Sequence, residues 1–129
     1  MKTGDILLFR SRGSLTSRLI SWGTESPYVH VAICVSRDLN LAVEAVSKSG
    51  VRARDIDNIG PFYDVYRLKK GIPCDLSGVT SYLTCKLNRR YDYTGVIFLG
   101  FKKLLKKMRL SSRQLINHWQ KDSKLFCSE

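Results

Sequence analysis

Residues 28–46 alternate twice around a short polar interruption, and this pattern limits the fold more than any other stretch of the chain. Val29, Val31, Ile33 and Val35 take every second position of the first run, and Leu41, Val43 and Ala45 every second position of the next. A period of two is strand geometry, and Arg37-Asp38-Leu39-Asn40 between the runs is turn chemistry. The segment therefore reads as an antiparallel hairpin. If the aliphatic sets share a core, odd-numbered residues face odd-numbered residues and the loop holds an odd number of residues. His30 and Glu44 then project together from the other face, directly opposed or one diagonal step apart, roughly 5 to 8 Å between Cβ atoms. That face also carries Tyr28, Ala32, Cys34, Ala42 and Val46. It is too apolar for water, so a further element is expected to cover it. A His–Glu pair on an amphipathic sheet is also a common and inexpensive surface contact.

The rest of the chain is strand-rich first and helical later. Asp5 to Arg10 reads as a strand entered through Gly4, and Ser14 as the N-cap of a helix reaching about Trp22, with Leu15, Leu19 and Trp22 as its apolar stripe. Val51 to Arg54 and Phe62 to Leu68 read as short strands. Residues 76–88 place Val79, Tyr82, Leu83 and Leu87 at helical spacing. Further helices are expected over 94–109 and 112–121, the last opened by a Ser111–Gln114 capping box. Strands followed by helices predict an α+β fold, and 129 residues without repeat or linker predict a single domain spanning 1–129.

The charge is unusual. Lys and Arg number 22 against 11 Asp and Glu, a formal net charge of +11. Such a surface favours anionic partners, among them membrane lipid, nucleic acid and acidic polymers, without choosing between them. The four apolar residues Ile6 to Phe9 are too few for a secretory signal, and no segment reaches the roughly 18 apolar residues of a membrane span. A cytoplasmic, at most membrane-peripheral, protein is expected. The four cysteines, at 34, 74, 85 and 127, show neither paired Cys-x-x-Cys spacing nor a Cys/His metal pattern, so reduced thiols with no metal and no cofactor are expected.

A histidine inside an apolar strand, a carboxylate within its reach and a thiol at the far end of the chain can make a nucleophile, its base and an orienting group. The order of short motifs resembles a known family. Gly4-Asp5-Ile6-Leu7-Leu8-Phe9 resembles the "GD plus apolar strand" opening of NlpC-type papain-like proteins. Ser26-Pro27-Tyr28-Val29-His30-Val31-Ala32-Ile33 resembles the "SHVGI" strand of their circularly permuted branch, which includes the YiiX-like proteins and, more distantly, lecithin:retinol acyltransferase. Val43-Glu44-Ala45 with Gly50-Val51-Arg52 resembles the following acid-bearing strand and "GV" turn, Tyr91-Asp92-Tyr93 a "YD" segment, and Phe126-Cys127-Ser128-Glu129 the "YCSEL" segment that bears the nucleophile.

The resemblance spans nearly the whole chain. It implies a permuted papain-like fold, with a small antiparallel sheet or half-barrel packed by helices. It also implies a thiol-dependent hydrolase or acyltransferase acting on an amide or ester bond of a peptide, cell-wall fragment or lipid. Carried over, Cys127 is the nucleophile, His30 the general base and Glu44 the residue that orients the imidazole. Tyr28 is a weaker candidate for shaping the substrate site, and Asp5 reads as structural. Of the other thiols, Cys34 would lie alongside His30 on its own strand, and Cys74 and Cys85 read as structural; His118 reads as a surface or packing residue. In the family the nucleophile opens a helix, whereas this sequence stops at Glu129. A trimmed chain or a weakened enzyme is the expectation that follows.

Phe101, Leu104, Leu105 and Met108 recur at helical spacing, with Lys102, Lys103, Lys106 and Lys107 on the other side. This segment reads either as a core-packed helix with a solvated cationic face or as an element binding an anionic membrane surface. A catalytically degenerate basic module that binds anionic membrane is therefore the competing function. Nucleic-acid binding is weaker, since no nucleic-acid motif is present.

Overall fold

The computed structural model describes residues 1–60, 62–91 and 125–126. They form an α+β fold. Strands β1 (Ile6–Arg10), β2 (Tyr28–Ser36), β3 (Leu41–Val46), β4 (Gly50–Asp55) and β5 (Tyr63–Tyr66) make an antiparallel sheet in the order β4-β3-β2-β1-β5. Helix α1 (Leu15–Thr24) joins β1 to β2, and α2 (Leu76–Cys85) follows β5. Two short strands, β6 (Arg90–Tyr91) and β7 (Leu125–Phe126), pair in parallel. The helices expected over 94–109 and 112–121 lie outside the described residues.

Local chemistry sets the helix boundaries. The Ser14 side chain accepts the Ser17 amide at 3.2 Å, and α1 ends where Glu25 turns left-handed at φ 55°. The Asp75 carboxylate accepts the Gly78 amide at 2.9 Å and opens α2. The apolar stripe of α1 forms as expected but faces solvent, with Leu15 80% and Leu19 66% exposed.

The hairpin has the expected parity with a different loop. Ile33 pairs Val43 and Cys34 pairs Ala42, but Ser36 then pairs Leu41, so Val35 is an extra residue and only Arg37 to Asn40 remain as the turn. A four-residue connection thus closes an odd-on-odd register because the bulge absorbs one residue.

The main buried cluster lies on the face of Glu44 and His30, not on the valine face that the alternation suggested. Leu7, Ala32, Cys34 and Ala42 pack there against Ile56 and Ile59, with Phe9 and Tyr63 at the margin. Ile56 precedes, and Ile59 closes, a single 3-10 turn (Asp57–Ile59) that folds back over the sheet. Val43 and Val51 are also buried on the opposite face, so apolar packing is present on both sides of the sheet. Small residues on one strand face leave room for the two isoleucines, which is why the less bulky side holds this cluster.

Asp5 anchors the entry to β1. It is 1% exposed, takes two bonds from Arg67 (Nε to Oδ1 and Nη2 to Oδ2, each 2.6 Å) and accepts the Lys2 amide at 2.6 Å. The Arg67 bond holds its carboxyl below the usual carboxylate range against the opposing effect of burial. This role is structural, as expected.

Candidate active site

His30 and Glu44 meet across the central hairpin. Ala32 is the residue directly opposite Glu44, so the imidazole reaches the carboxylate on the diagonal. The distance from His30 Nε2 to Glu44 Oε2 is 2.8 Å. On its other side His30 stands opposite Phe9, and the two rings lie 5.2 Å apart at 46°. A tilted aromatic contact on one flank and a hydrogen bond at the tip fix the ring plane.

The Glu44 side chain is only 2% exposed. A buried carboxylate is costly unless fully bonded, and Glu44 is fully bonded. Arg52, directly opposite on β4, donates to Oε1 from Nε at 2.9 Å and approaches the same oxygen with Nη2 at 2.7 Å. Arg54 Nη1 stands 3.7 Å from that oxygen, while its Nη2 donates to the Asn58 carbonyl at 2.7 Å. Burial pushes the Glu44 pKa up; the bonds and charges of His30 and Arg52 outweigh it and bring it down to about 2. Glu44 is therefore ionised at neutral pH and can only accept hydrogen bonds. In a neutral imidazole the proton consequently sits on Nε2, and Nδ1 carries the basic lone pair.

Tyr28 does not share this face. Val29 is a second extra residue in β2: Phe9 pairs His30, but Arg10 pairs Tyr28. The shift sends the phenol to the other side, where its hydroxyl donates to Asp64 Oδ2 at 2.6 Å and lies 3.0 Å from the Tyr66 hydroxyl. Arg10 Nε donates to the same Asp64 oxygen at 2.9 Å. The bond to Asp64, followed by that to Tyr66, raises the Tyr28 pKa and keeps the phenol protonated. Tyr28 thus belongs to a polar network on the face of the sheet opposite His30 and Glu44.

Cys34 is completely buried in the core cluster, and burial, then the charge of Asp5, raises its pKa. It is a packing residue. Cys74 and Cys85 are exposed free thiols. Cys127, the amphipathic Lys102, Lys103, Lys106 and Lys107, and His118 lie outside the described residues. The residue before Cys127 is placed: Phe126 pairs Tyr91 in the β6–β7 ladder. That ladder is joined to β4, since the Val51 amide donates to the Arg89 carbonyl at 2.9 Å and the Asn88 amide to the Val51 carbonyl at 2.8 Å. Gly50 makes the approach possible. At φ +69° it has no Cβ to strike the Arg89 carbonyl, which packs against it.

Arg52 and Arg54 extend the site beyond the residues expected from the sequence. Their signal was the alternation Val51-Arg52-Ala53-Arg54, which puts both guanidinium groups on one strand face; a tight turn from Val46 then sets Arg52 opposite Glu44. Comparison of the chain with protein-family models, with curated proteins and with solved structures returns no match. No helix among the described residues is long and apolar enough to cross a membrane.

Proposed function

We propose that this chain is a thiol-dependent hydrolase or acyltransferase acting at an amide or ester bond, built on a circularly permuted papain-like version of its α+β fold. The observation that carries the reading is the buried, ionised Glu44 bonded to His30 Nε2 at 2.8 Å. An imidazole oriented by a carboxylate is what a cysteine nucleophile requires. The joining of β7 to β6, and of β6 to β4, supports Cys127 as that nucleophile, because Phe126 immediately precedes it. The motif order, similar to that of permuted NlpC-type proteins, supports the same assignment.

In this scheme His30 takes the Cys127 proton. A free thiol near pKa 8.5 is mostly protonated at neutral pH, and an adjacent imidazolium stabilises the thiolate. The thiolate sulfur attacks the substrate carbonyl carbon. As the bond to the leaving group breaks, His30 returns the proton to the departing nitrogen or oxygen. The resulting thioester is opened by water or by an acyl acceptor, which His30 deprotonates, and the thiol is regenerated. Glu44 holds the ring and stabilises its protonated form. Peptide, cell-wall fragment and lipid acyl groups are the substrate classes in view.

An acyl-donor electrophile, read by intact mass and peptide mapping, tests this assignment. Cys127 is expected to be acylated fastest, and Cys127→Ala and His30→Ala are expected to abolish that adduct. Preferential labelling of Cys74 or Cys85 would overturn it.

A second reading is a degenerate module that binds anionic membrane. It is favoured by the solvent-facing Leu15 and Leu19 of α1, with Arg18 beside them, on a chain of net charge +11. Co-sedimentation with acidic vesicles that survives Cys127→Ala, in a protein that never forms the adduct, would select this reading.

A further inference from the structure

We propose that Arg52 is a positioning residue for His30: by occupying one oxygen of Glu44 it commits the other to the imidazole and thereby sets which ring nitrogen is basic. The catalytic consequence rests on the thiol-dependent reading above; the positioning itself does not.

The geometry is specific. Both arms of the Arg52 guanidinium close on Oε1, Nε at 2.9 Å and Nη2 at 2.7 Å, leaving Oε2 for His30 Nε2 at 2.8 Å. A fork that took one oxygen with each arm would compete with the imidazole for Oε2. Here the two donors approach the carboxylate from opposite neighbours, Arg52 directly across the β3–β4 ladder and His30 on the diagonal of β2–β3. The glutamate chain has freely rotating torsions, so a carboxylate held at one oxygen only can swing and offer either oxygen, or neither, to the ring. Held at both, it cannot. Arg54 does not substitute, because its Nη1 at 3.7 Å is beyond hydrogen-bond range of Oε1. Lysine would keep the charge but not the planar two-armed approach.

The chain has only two histidines, so the imidazole nitrogens can be followed directly by ¹⁵N NMR in the full chain carrying His118→Gln. The neutral ring of His30 is expected to be the Nε2–H form, with the proton absent from Nδ1. Arg52→Met is expected to give a mixture of both tautomers, and the first-order acylation rate to fall roughly tenfold, the scale of support lost with an outer-shell partner, with little change in half-saturating substrate. Arg52→Lys is expected to show a smaller admixture and to recover part of the rate. Should Arg52→Met fail to fold, Arg52→Lys carries the same readout.

A single Nε2–H tautomer in the folded variant, with an unchanged acylation rate and pH profile, overturns the proposal. The two readings separate cleanly. A tautomer that responds to Arg52 in a protein that never acylates at Cys127 upholds the positioning and removes the enzyme. Acylation with a tautomer indifferent to Arg52 does the reverse.

Discussion

Glu44 and Arg52 face each other directly across the β3–β4 ladder, and the guanidinium takes the carboxylate oxygen that the imidazole leaves. The pair links site geometry to acid stability. The folded pKa of Glu44 lies at about 2 against an ordinary 4.5, so between those values the native state binds fewer protons than the unfolded chain. The contribution is fully present above about pH 5 and is lost as pH falls towards 2; its size is on the order of 3 kcal/mol. Urea unfolding of the parent and Glu44→Gln is expected to show a large gap at about pH 7 that narrows by about pH 3. A gap that does not narrow would refute the assignment.

Asp5 is a second buried carboxylate; it lies beside Cys34 at the entry to β1 and has no part in the proposed chemistry. Asp5→Asn keeps the shape but loses the paired charge on a side chain that accepts from Arg67 and the Lys2 amide. A cost of about 2 kcal/mol is expected, seen as a lower urea midpoint with unchanged slope. The acylation rate of the folded variant is expected to stay at the parent value, which separates this anchor from Glu44.

Gly50→Ala addresses the joint between the sheet and the terminal ladder. The added methyl meets the Arg89 carbonyl, and the position is left-handed at φ +69°. The substitution is expected to cost about 2 kcal/mol or more. It is also expected to speed hydrogen exchange at the Val51 amide, which donates to Arg89, and to slow acylation at Cys127. Normal protection at Val51 in the variant would show that the ladder is held by other contacts.

Cys34 should be inert while the protein is folded. It is wholly buried, and its pKa is raised by burial, so neither access nor thiolate is available to a disulfide reagent. Titration of native protein is expected to modify the exposed Cys74 and Cys85 and to reach Cys34 only on unfolding. Modification of Cys34 at the rate of the exposed thiols would contradict the core described above.

Much of the frame was legible in the sequence, because strand alternation and caps are local signals. β3 runs over Leu41–Val46 as the pattern predicts, and Ser14 and Asp75 cap helices near the expected starts. The meeting of His30 with Glu44 was legible too, since parity alone brings them to one face. What alternation could not say is which of two apolar faces is more deeply covered. The β-branched face looked like the core, but the cover came from Ile56 and Ile59, hidden in the polar run Asp55-Ile56-Asp57-Asn58-Ile59. Bulges have no period, so neither the displacement of Tyr28 nor the four-residue turn could be read from spacing. Arg52 was visible only once β4 had a register.

The extra residue at Val29 separates β2 into two independent phases. Before it, the strand's outward and inward sides are exchanged relative to the run from His30 to Cys34. Sequence drift at Tyr28, or at its partners Asp64 and Tyr66, can therefore reshape that corner of the rear surface without altering what confronts Glu44. A family descended from this chain could vary Tyr28 and its polar neighbours while the histidine stayed in step.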